Sequence, residues 1–319
     1  MAMSPGRVAV VGSANLDLVT ICDTLPRPGE TLLARSYREG PGGKGSNQAH
    51  AAARMGAEVS FVGLRGPDPA GQTLADALTA EGVDVTGFVV AEGPTGRALV
   101  MVDAAAENSI IVVQGTNAML TAEQVRAVPA VAAASVVVCQ LEVPLAAVQA
   151  AREVCTGTFV LNPAPAQPLP PDLLAATDVL VVNETEYQTV LGAPLPDDLD
   201  EIRTVAARPG APTTIVATLG ERGAAVCHEG VVTLVPAPAV EVVDTTGAGD
   251  TFVGALAAEL AAGSQTLQAA RRAVVAASLS TRRLGATAAM PRRSEVLAAV
   301  PTTPGDAPGD QQAAPTAEA

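Results

Sequence analysis

Short β-branched runs separated by longer Ala- and Leu-rich stretches of helical period restrict this chain's fold more than any other feature. The runs are Arg7–Val11, 59–62, Val136–Cys139, Thr158–Leu161, Val179–Val182 and Thr214–Thr218. Alternation of this kind builds βαβ units around a mostly parallel central sheet flanked by helices. Unbroken apolar strands such as Val136-Val137-Val138 call for a sheet covered on both faces. Sheets so built collect ligands at the carboxyl ends of their strands. With 319 residues, the chain suits one large α/β domain or a domain with a smaller appendage.

Two regions break the alternation. Residues 16–21 and 31–38, then 97–102 and 109–113, read as strands with no helix of useful length between them, and they predict a small second sheet beside the main domain. Residues 103–108 would be its hairpin loop. From 301 to 319 the chain is rich in Pro, Gly, Ala and polar residues without apolar period, which predicts a disordered tail after a domain spanning 1–300.

A net charge of −14 gives a surface that repels phosphate backbones and anionic lipid, so neither nucleic acid nor membrane is an expected partner. No apolar run has the length of a membrane span, and the first residues enter a strand without a signal-peptide pattern, which predicts a cytoplasmic protein. Cys22, Cys139, Cys155 and Cys227 form no C-x-x-C pair and read as buried thiols. His50 and His228 lack metal-ligand spacing. Acid and base chemistry therefore falls to carboxylates.

The segment Asp244-Thr245-Thr246-Gly247-Ala248-Gly249-Asp250 runs into a helical GALAAELAAG pattern. Small residues at a helix start leave backbone N–H groups free to converge on an anion, and the helix dipole favours negative charge there. A carboxylate beside such a site is costly without a task, and taking a proton from a hydroxyl that attacks phosphorus is one. The alternative is a tight turn with Asp250 as an ordinary helix-start residue. Gly40-Pro41-Gly42-Gly43-Lys44-Gly45-Ser46-Asn47 precedes a helix expected over 48–55. It departs from the P-loop because Gly45 follows the lysine. Its blander reading is a glycine-rich loop with Ser46 as helix cap, but Lys44 is the chain's single lysine, which favours a site where a planar guanidinium would not fit.

Asn15 and Asp17, two apart after the first strand, fall on one side of an extended chain and can grip adjacent hydroxyls, or they are simply turn formers. Glu142, the stretch Asn183-Glu184-Thr185-Glu186 and the stretch Thr218-Leu219-Gly220-Glu221-Arg222-Gly223 each follow a strand. Polar groups after so many strands point to one shared crevice.

These residues resemble the ribokinase family, the PfkB-type carbohydrate kinases. DTTGAGDTFVGAL is similar to its carboxyl-terminal signature and GGKGSNQA to its amino-terminal one, with GSANLD, PTGRALVMVD, LNPAPA, NETE and TLGERG in the family's order over roughly residues 7–298. The resemblance implies a Rossmann-like domain with a β-sheet lid that closes over a sugar. It implies Asn15, Asp17, Gly43, Lys44, Gly45, Asn47 and Glu142 on the sugar, Asp250 as base and 247–249 (Gly247, Ala248, Gly249) as anion hole. It also implies ATP in a cleft lined by Asn183, Thr218, Leu219, Gly220, Glu221, Arg222, Gly223 and Gly249, and Mg²⁺ organised by Glu186 through water. Potassium would sit near Asp244, Thr246, Ser280, Arg283 and Gly285, mainly on carbonyls. Ala289 stands where relatives often carry Ser, and Val274 where they often place a polar residue against adenine.

Within the family, the resemblance favours ribose over deoxyribose, a fructose derivative or a nucleoside. Only six aromatic residues exist to stack a base. An exposed lid face would allow a homodimer. Outside catalysis, the fold could serve a sugar or nucleotide sensor, although Asp250 is retained. A dinucleotide-dependent oxidoreductase would need a G-x-G-x-x-G turn where GSANLD stands.

Overall fold

The strand-forming runs pair as their alternation predicts. A computed structural model describes residues 6–104 and 108–300. Its strands are β1 (Arg7–Val11), β2 (Asn15–Ile21), β3 (Ser36–Gly42), β4 (Glu58–Arg65), β5 (Asp84–Val90), β6 (Gly96–Val102), β7 (Asn108–Val113), β8 (Val136–Cys139), β9 (Thr158–Leu161), β10 (Val179–Val182), β11 (Thr214–Thr218), β12 (Ala224–His228) and β13 (Val231–Val235). The large sheet has the order β13-β12-β11-β10-β9-β8-β1-β4-β5. It is parallel from β11 through β5, and β12 and β13 close one edge as an antiparallel hairpin.

Period-two alternation divides each central strand between two cores. Val8, Val10, Val136 and Val138 pack under helices Lys44–Arg54, Ala248–Ala261 and Thr266–Ser280 on one face. Ala9, Val11, Val137 and Cys139 pack on the other face, with helix Leu145–Val154. Each fully buried Val or Leu contributes about 1.5–3 kcal/mol relative to exposure, so these aliphatic layers hold the sheet without tryptophan. All four cysteines are buried and unpaired.

The chain steps outward from β1 to β4 and β5, then returns beside β1 as β8 and steps the other way. Strand order therefore reverses between β1 and β8, whose carboxyl ends lead into Gly12–Asn15 and Gln140–Glu142. A crevice opens at such a reversal.

The small sheet has the order β3-β2-β6-β7. Three of its strands match expectation within a residue, but the strand expected over 31–38 lies at Ser36–Gly42. Register explains the shift: β3 pairs with β2 from Ile21 opposite Ser36 to Asn15 opposite Gly42, so residues 31–35 extend past the end of their partner. Pro41 is tolerated because β3 is an edge strand. Of the expected hairpin loop, 105–107 lie outside the described residues, as does the segment 301–319. Among the described residues, no helix is long and apolar enough to cross a membrane.

Candidate active site

The loop before helix Ala248–Ala261 ends at Gly247, whose φ of 74° is left-handed, and a Cβ there would stand 2.9 Å from that of Ala286. No side chain caps this helix. The Ala248 N–H is taken by the Thr245 carbonyl at 3.2 Å, whereas the N–H groups of Gly249 and Asp250 make no backbone hydrogen bond among the described residues. Two free donors at a dipole's positive end suit an anion.

Asp250 lies in the first turn of this helix and is buried. Asn47 Nδ2 donates to its Oδ2 at 2.9 Å and Gln48 Nε2 to its Oδ1 at 3.0 Å. Both donors come from helix Lys44–Arg54, which begins at Lys44 and not at the expected Gln48. Gly43, at φ 85°, turns the chain directly into the helix, and Ser46 caps nothing. In place of a local cap, Glu142 Oε2 accepts from the Lys44 N–H at 3.0 Å and from Ser13 Oγ at 2.5 Å. Gly45 N–H approaches Ser13 Oγ at 3.4 Å, which gives this glycine a packing role.

A cavity of about 160 Å³ opens beside Asp250. Lys44, Asn162, Asn183, Glu186 and Thr218 line it, with Gly247 and Gly249 at the helix start. Burial works against the charge of Lys44, but Asp250, Glu142 and Glu186 outweigh it and raise its pKa. The cavity thus presents a firm cation beside N–H donors and a carboxylate.

Asn15 and Asp17 stand on β2 with one residue between them, as an extended chain requires. Asn15 Oδ1 accepts from Asn117 Nδ2 at 2.7 Å, and Asn117 also bonds the Ala14 backbone. The Asp17 carboxyl makes no hydrogen bond among the described residues. Burial, then Glu142 and Asp250, push its pKa up to about 7 from 3.8. Because the folded value is the higher one, this group stabilises the fold below pH 3.8 and the contribution is lost as pH rises toward 7. Asp17→Asn should therefore gain stability relative to the parent as pH rises through that window, read as urea midpoints. A constant gap across the window would contradict it.

The NETE stretch opens helix Glu184–Leu191 as a reciprocal capping box, with Glu186 N–H donating to Asn183 Oδ1 at 2.8 Å and Asn183 N–H to Glu186 Oε2 at 2.9 Å. Burial raises the pKa of Glu186 despite those donors and Lys44. Downstream of β11, Gly220–Arg222 form a tight turn closed by Leu219 N–H on the Gly223 carbonyl at 2.8 Å. Leu219's side chain belongs to the core, and its N–H and carbonyl are both engaged within this turn. Glu221 and Arg222 are exposed.

Asp244 joins two distant loops: Oδ1 accepts from Thr246 N–H at 2.9 Å and Oδ2 from Gly285 N–H at 2.8 Å. Ser280 Oγ is committed to the Ala277 carbonyl at 2.7 Å and Arg283 to Glu295 at 3.1 Å. Arg283 and Ala289 border a separate cavity of about 400 Å³ with Leu279, Arg282, Pro291 and Glu295. Among the described residues, no group of three or more His, Cys, Asp or Glu could hold a metal ion.

Sequence reading missed the amides. Gln48, Asn162, Gln140 and Asn117 announce no chemistry alone, and their roles arise from contacts between segments 19 to 202 residues apart. Gln48, beside Asn47 in GGKGSNQA, and Asn162, in LNPAPA, lie within elements of the resemblance, but without any role attached.

A parallel sheet with a strand reversal, a helix N-terminus with free donors and a buried carboxylate form an arrangement suited to an anionic group beside a polar one. Comparison narrows the class. Residues 6–293 match the family described as pfkB family carbohydrate kinase. The ribokinase of Haemophilus influenzae is 36% identical over 296 residues, covering 91% of this chain and 97% of its own. The deoxyribokinase of Salmonella typhi is 34% identical over 294 residues, covering 89% and 95%. The structure of Arabidopsis thaliana ribokinase complexed with ribose and ATP has a TM-score of 0.83 at 33% identity, covering 94% of this chain and 100% of that one. The chain belongs to the pfkB family of carbohydrate kinases, which are phosphotransferases with an alcohol group as acceptor.

Proposed function

We propose that this carbohydrate kinase is an ATP-dependent ribokinase, forming ribose 5-phosphate and ADP. The observation that carries the reading is Asp250, buried at a helix start beside free N–H donors and across from Lys44. In this reading Asp250 accepts the proton of the sugar 5-hydroxyl as its oxygen bonds to the γ-phosphorus and the bond from phosphorus to the ADP oxygen breaks. Of the 247–249 anion hole the Ala248 N–H is engaged by Thr245, so the free N–H groups of Gly249 and Asp250, with Lys44, stabilise the charge that develops on the phosphoryl oxygens. Asn15, Asp17, Asn47 and Glu142 hold the sugar, and Asn183, Thr218 and the 219–223 turn border the nucleotide.

Ribose is favoured over deoxyribose by Asp17, whose two oxygens can accept from a pair of adjacent hydroxyls. A deoxyribokinase among the relatives keeps the second substrate in play. A coupled assay of ADP release across ribose, deoxyribose, fructose and adenosine tests the choice. Highest kcat/KM on any sugar but ribose would overturn it.

Magnesium, when bound, would supply charge neutralisation between phosphates. Glu186 fits an outer contact through water, because both its oxygens already accept from Asn183. Potassium fits only on carbonyls near Asp244, Thr246, Ser280, Arg283 and Gly285, since Asp244, Ser280 and Arg283 have engaged side chains and Ala289 offers no side-chain oxygen. Turnover at constant ionic strength should be faster in potassium than in sodium or a bulky organic cation. Equal rates would leave this turn a structural role.

The small sheet is read as a lid that excludes water on sugar binding. Its amides in β2, β3, β6 and β7 should exchange more slowly once ribose is added, and protection confined to the large sheet would contradict this. Exposed Tyr37, Leu99, Ile110 and Ile111 on the small sheet support pairing of two copies. Light scattering at twice the chain mass is the expected result, and the single mass would refute it.

A further inference from the structure

We infer that Gln48 is the positioning residue that fixes Asp250 for proton transfer, through a directed chain of buried amides running from Gln140 to Glu186. The inference rests on Asp250 being the base. The direction follows from the carboxylates. An ionised carboxylate only accepts, so the Gln48 group facing Asp250 Oδ1 at 3.0 Å must be its Nε2. The second hydrogen of that nitrogen reaches Asn162 Oδ1 at 3.2 Å. With its oxygen so used, Asn162 donates through Nδ2 to the Val181 carbonyl at 3.0 Å and to Glu186 Oε2 at 3.3 Å. At the other end, Gln48 Oε1 accepts from Gln140 Nε2 at 2.6 Å.

Every link is buried: Gln48 and Gln140 are fully inaccessible and Asn162 is 8% exposed. Gln140 even leaves its own Oε1 buried without a partner. Such an orphan is costly, and reversing this amide would point an oxygen at the Gln48 oxygen. The orphan is therefore what holding Gln48 in one orientation requires. A glutamine free to flip would present its oxygen to Asp250 and repel it.

Charged groups of several elements face Asp250 besides these amides: Lys44 from its helix, Asp17 from β2 and Glu186 from helix Glu184–Leu191. Two of these three neighbours are carboxyl groups, so donated hydrogen bonds matter for keeping an ionised acceptor there. Asn47 supplies one such bond beside the sugar. Gln48 supplies the other from the protein interior, fully inaccessible where Asn47 is 6% exposed, which separates orienting the base from binding the sugar.

The test compares Gln48→Leu and Gln140→Leu with the parent by kcat and KM for ribose across pH 5–9, alongside thermal unfolding. For Gln48→Leu, kcat at neutral pH should fall roughly ten- to a hundredfold, the range for losing one hydrogen bond to a charged group. KM for ribose should stay within about threefold. The acid limb of the kcat profile should move to higher pH, because losing a donor disfavours the ionised form. Gln140→Leu, which removes only the orienting partner, should move the same limb the same way by a smaller step, and it keeps the test decisive if Gln48→Leu does not fold. A kcat profile in Gln140→Leu superimposable on the parent, or a Gln48→Leu loss confined to KM or to melting temperature, would overturn the inference. Failure of the base assignment is distinguishable: it would appear as near-normal turnover in Asp250→Asn, whatever Gln48 variants do.

Discussion

Asp250→Asn is expected to fold and to bind ribose and ATP while its kcat falls at least about a hundredfold, the usual scale for losing a general base. The surroundings explain why folding should survive. An amide at 250 places a donor against Asn47 Nδ2 or Gln48 Nε2, which now sit 2.9 and 3.0 Å from the carboxylate. Asn47 has a buried Oδ1 without a partner. Turning that side chain over would aim this oxygen at the new donor, so the donor that the variant adds finds an acceptor. What it cannot regain is a proton acceptor. Calorimetric titration with ribose should give an affinity within a few-fold of the parent, and unfolding should stay cooperative. Turnover within about tenfold of the parent would make Asp250 an ordinary helix-start residue.

Much of the fold was legible because its strands carry their own pattern. Val136–Cys139, Thr158–Leu161 and Val179–Val182 are apolar on both faces, and the structure begins and ends them where the sequence does. β3 was displaced because Gly40, Pro41 and Gly42 carry no strand propensity and join the sheet only through pairing with β2. The helix after Gly43 was entered four residues late for a related reason. Its N-terminus is satisfied by Glu142, 98 residues away, and no local cap marks it.

The candidate site divides along the same line. Residues bearing charge within a motif, such as Lys44, Glu186 and Asp250, were legible and converge on one cavity. Residues that act by accepting and donating at once were not, since Gln48 and Asn162 acquire a direction only when carboxylates stand at both ends of their chain. The capping box at Asn183 and Glu186 shows the reverse case. An N-x-x-E pattern is a helix-start signature in its own right, and reading it for ligands alone passed over the bonds that hold it.

Glu259→Gln should cost the fold about 3 kcal/mol, toward the low end for breaking a buried ion pair, because the arginines facing it keep some access to water. Glu259 is fully buried in helix Ala248–Ala261, the helix that begins with the candidate anion site. One of its oxygens accepts from Arg293 and the other from Arg272 and Ser264 Oγ, so a single carboxylate ties that helix to Thr266–Ser280 and Arg293–Ala299. The two arginine side chains are 21% and 34% exposed. Arg293 also donates to the Met55 carbonyl at 3.1 Å, which extends the clamp to the end of helix Lys44–Arg54. A glutamine keeps the shape and one acceptor but turns an N–H donor toward the second guanidinium. In a chain of this size the loss should lower the melting temperature by roughly 5 °C. The clamp lies at the far end of the helix from Asp250, so kcat of the folded variant should remain near that of the parent at low temperature. Urea unfolding decides it: a stability within about 0.5 kcal/mol of the parent, the scatter of ordinary surface substitutions, would show that the carboxylate's charge is dispensable to the clamp.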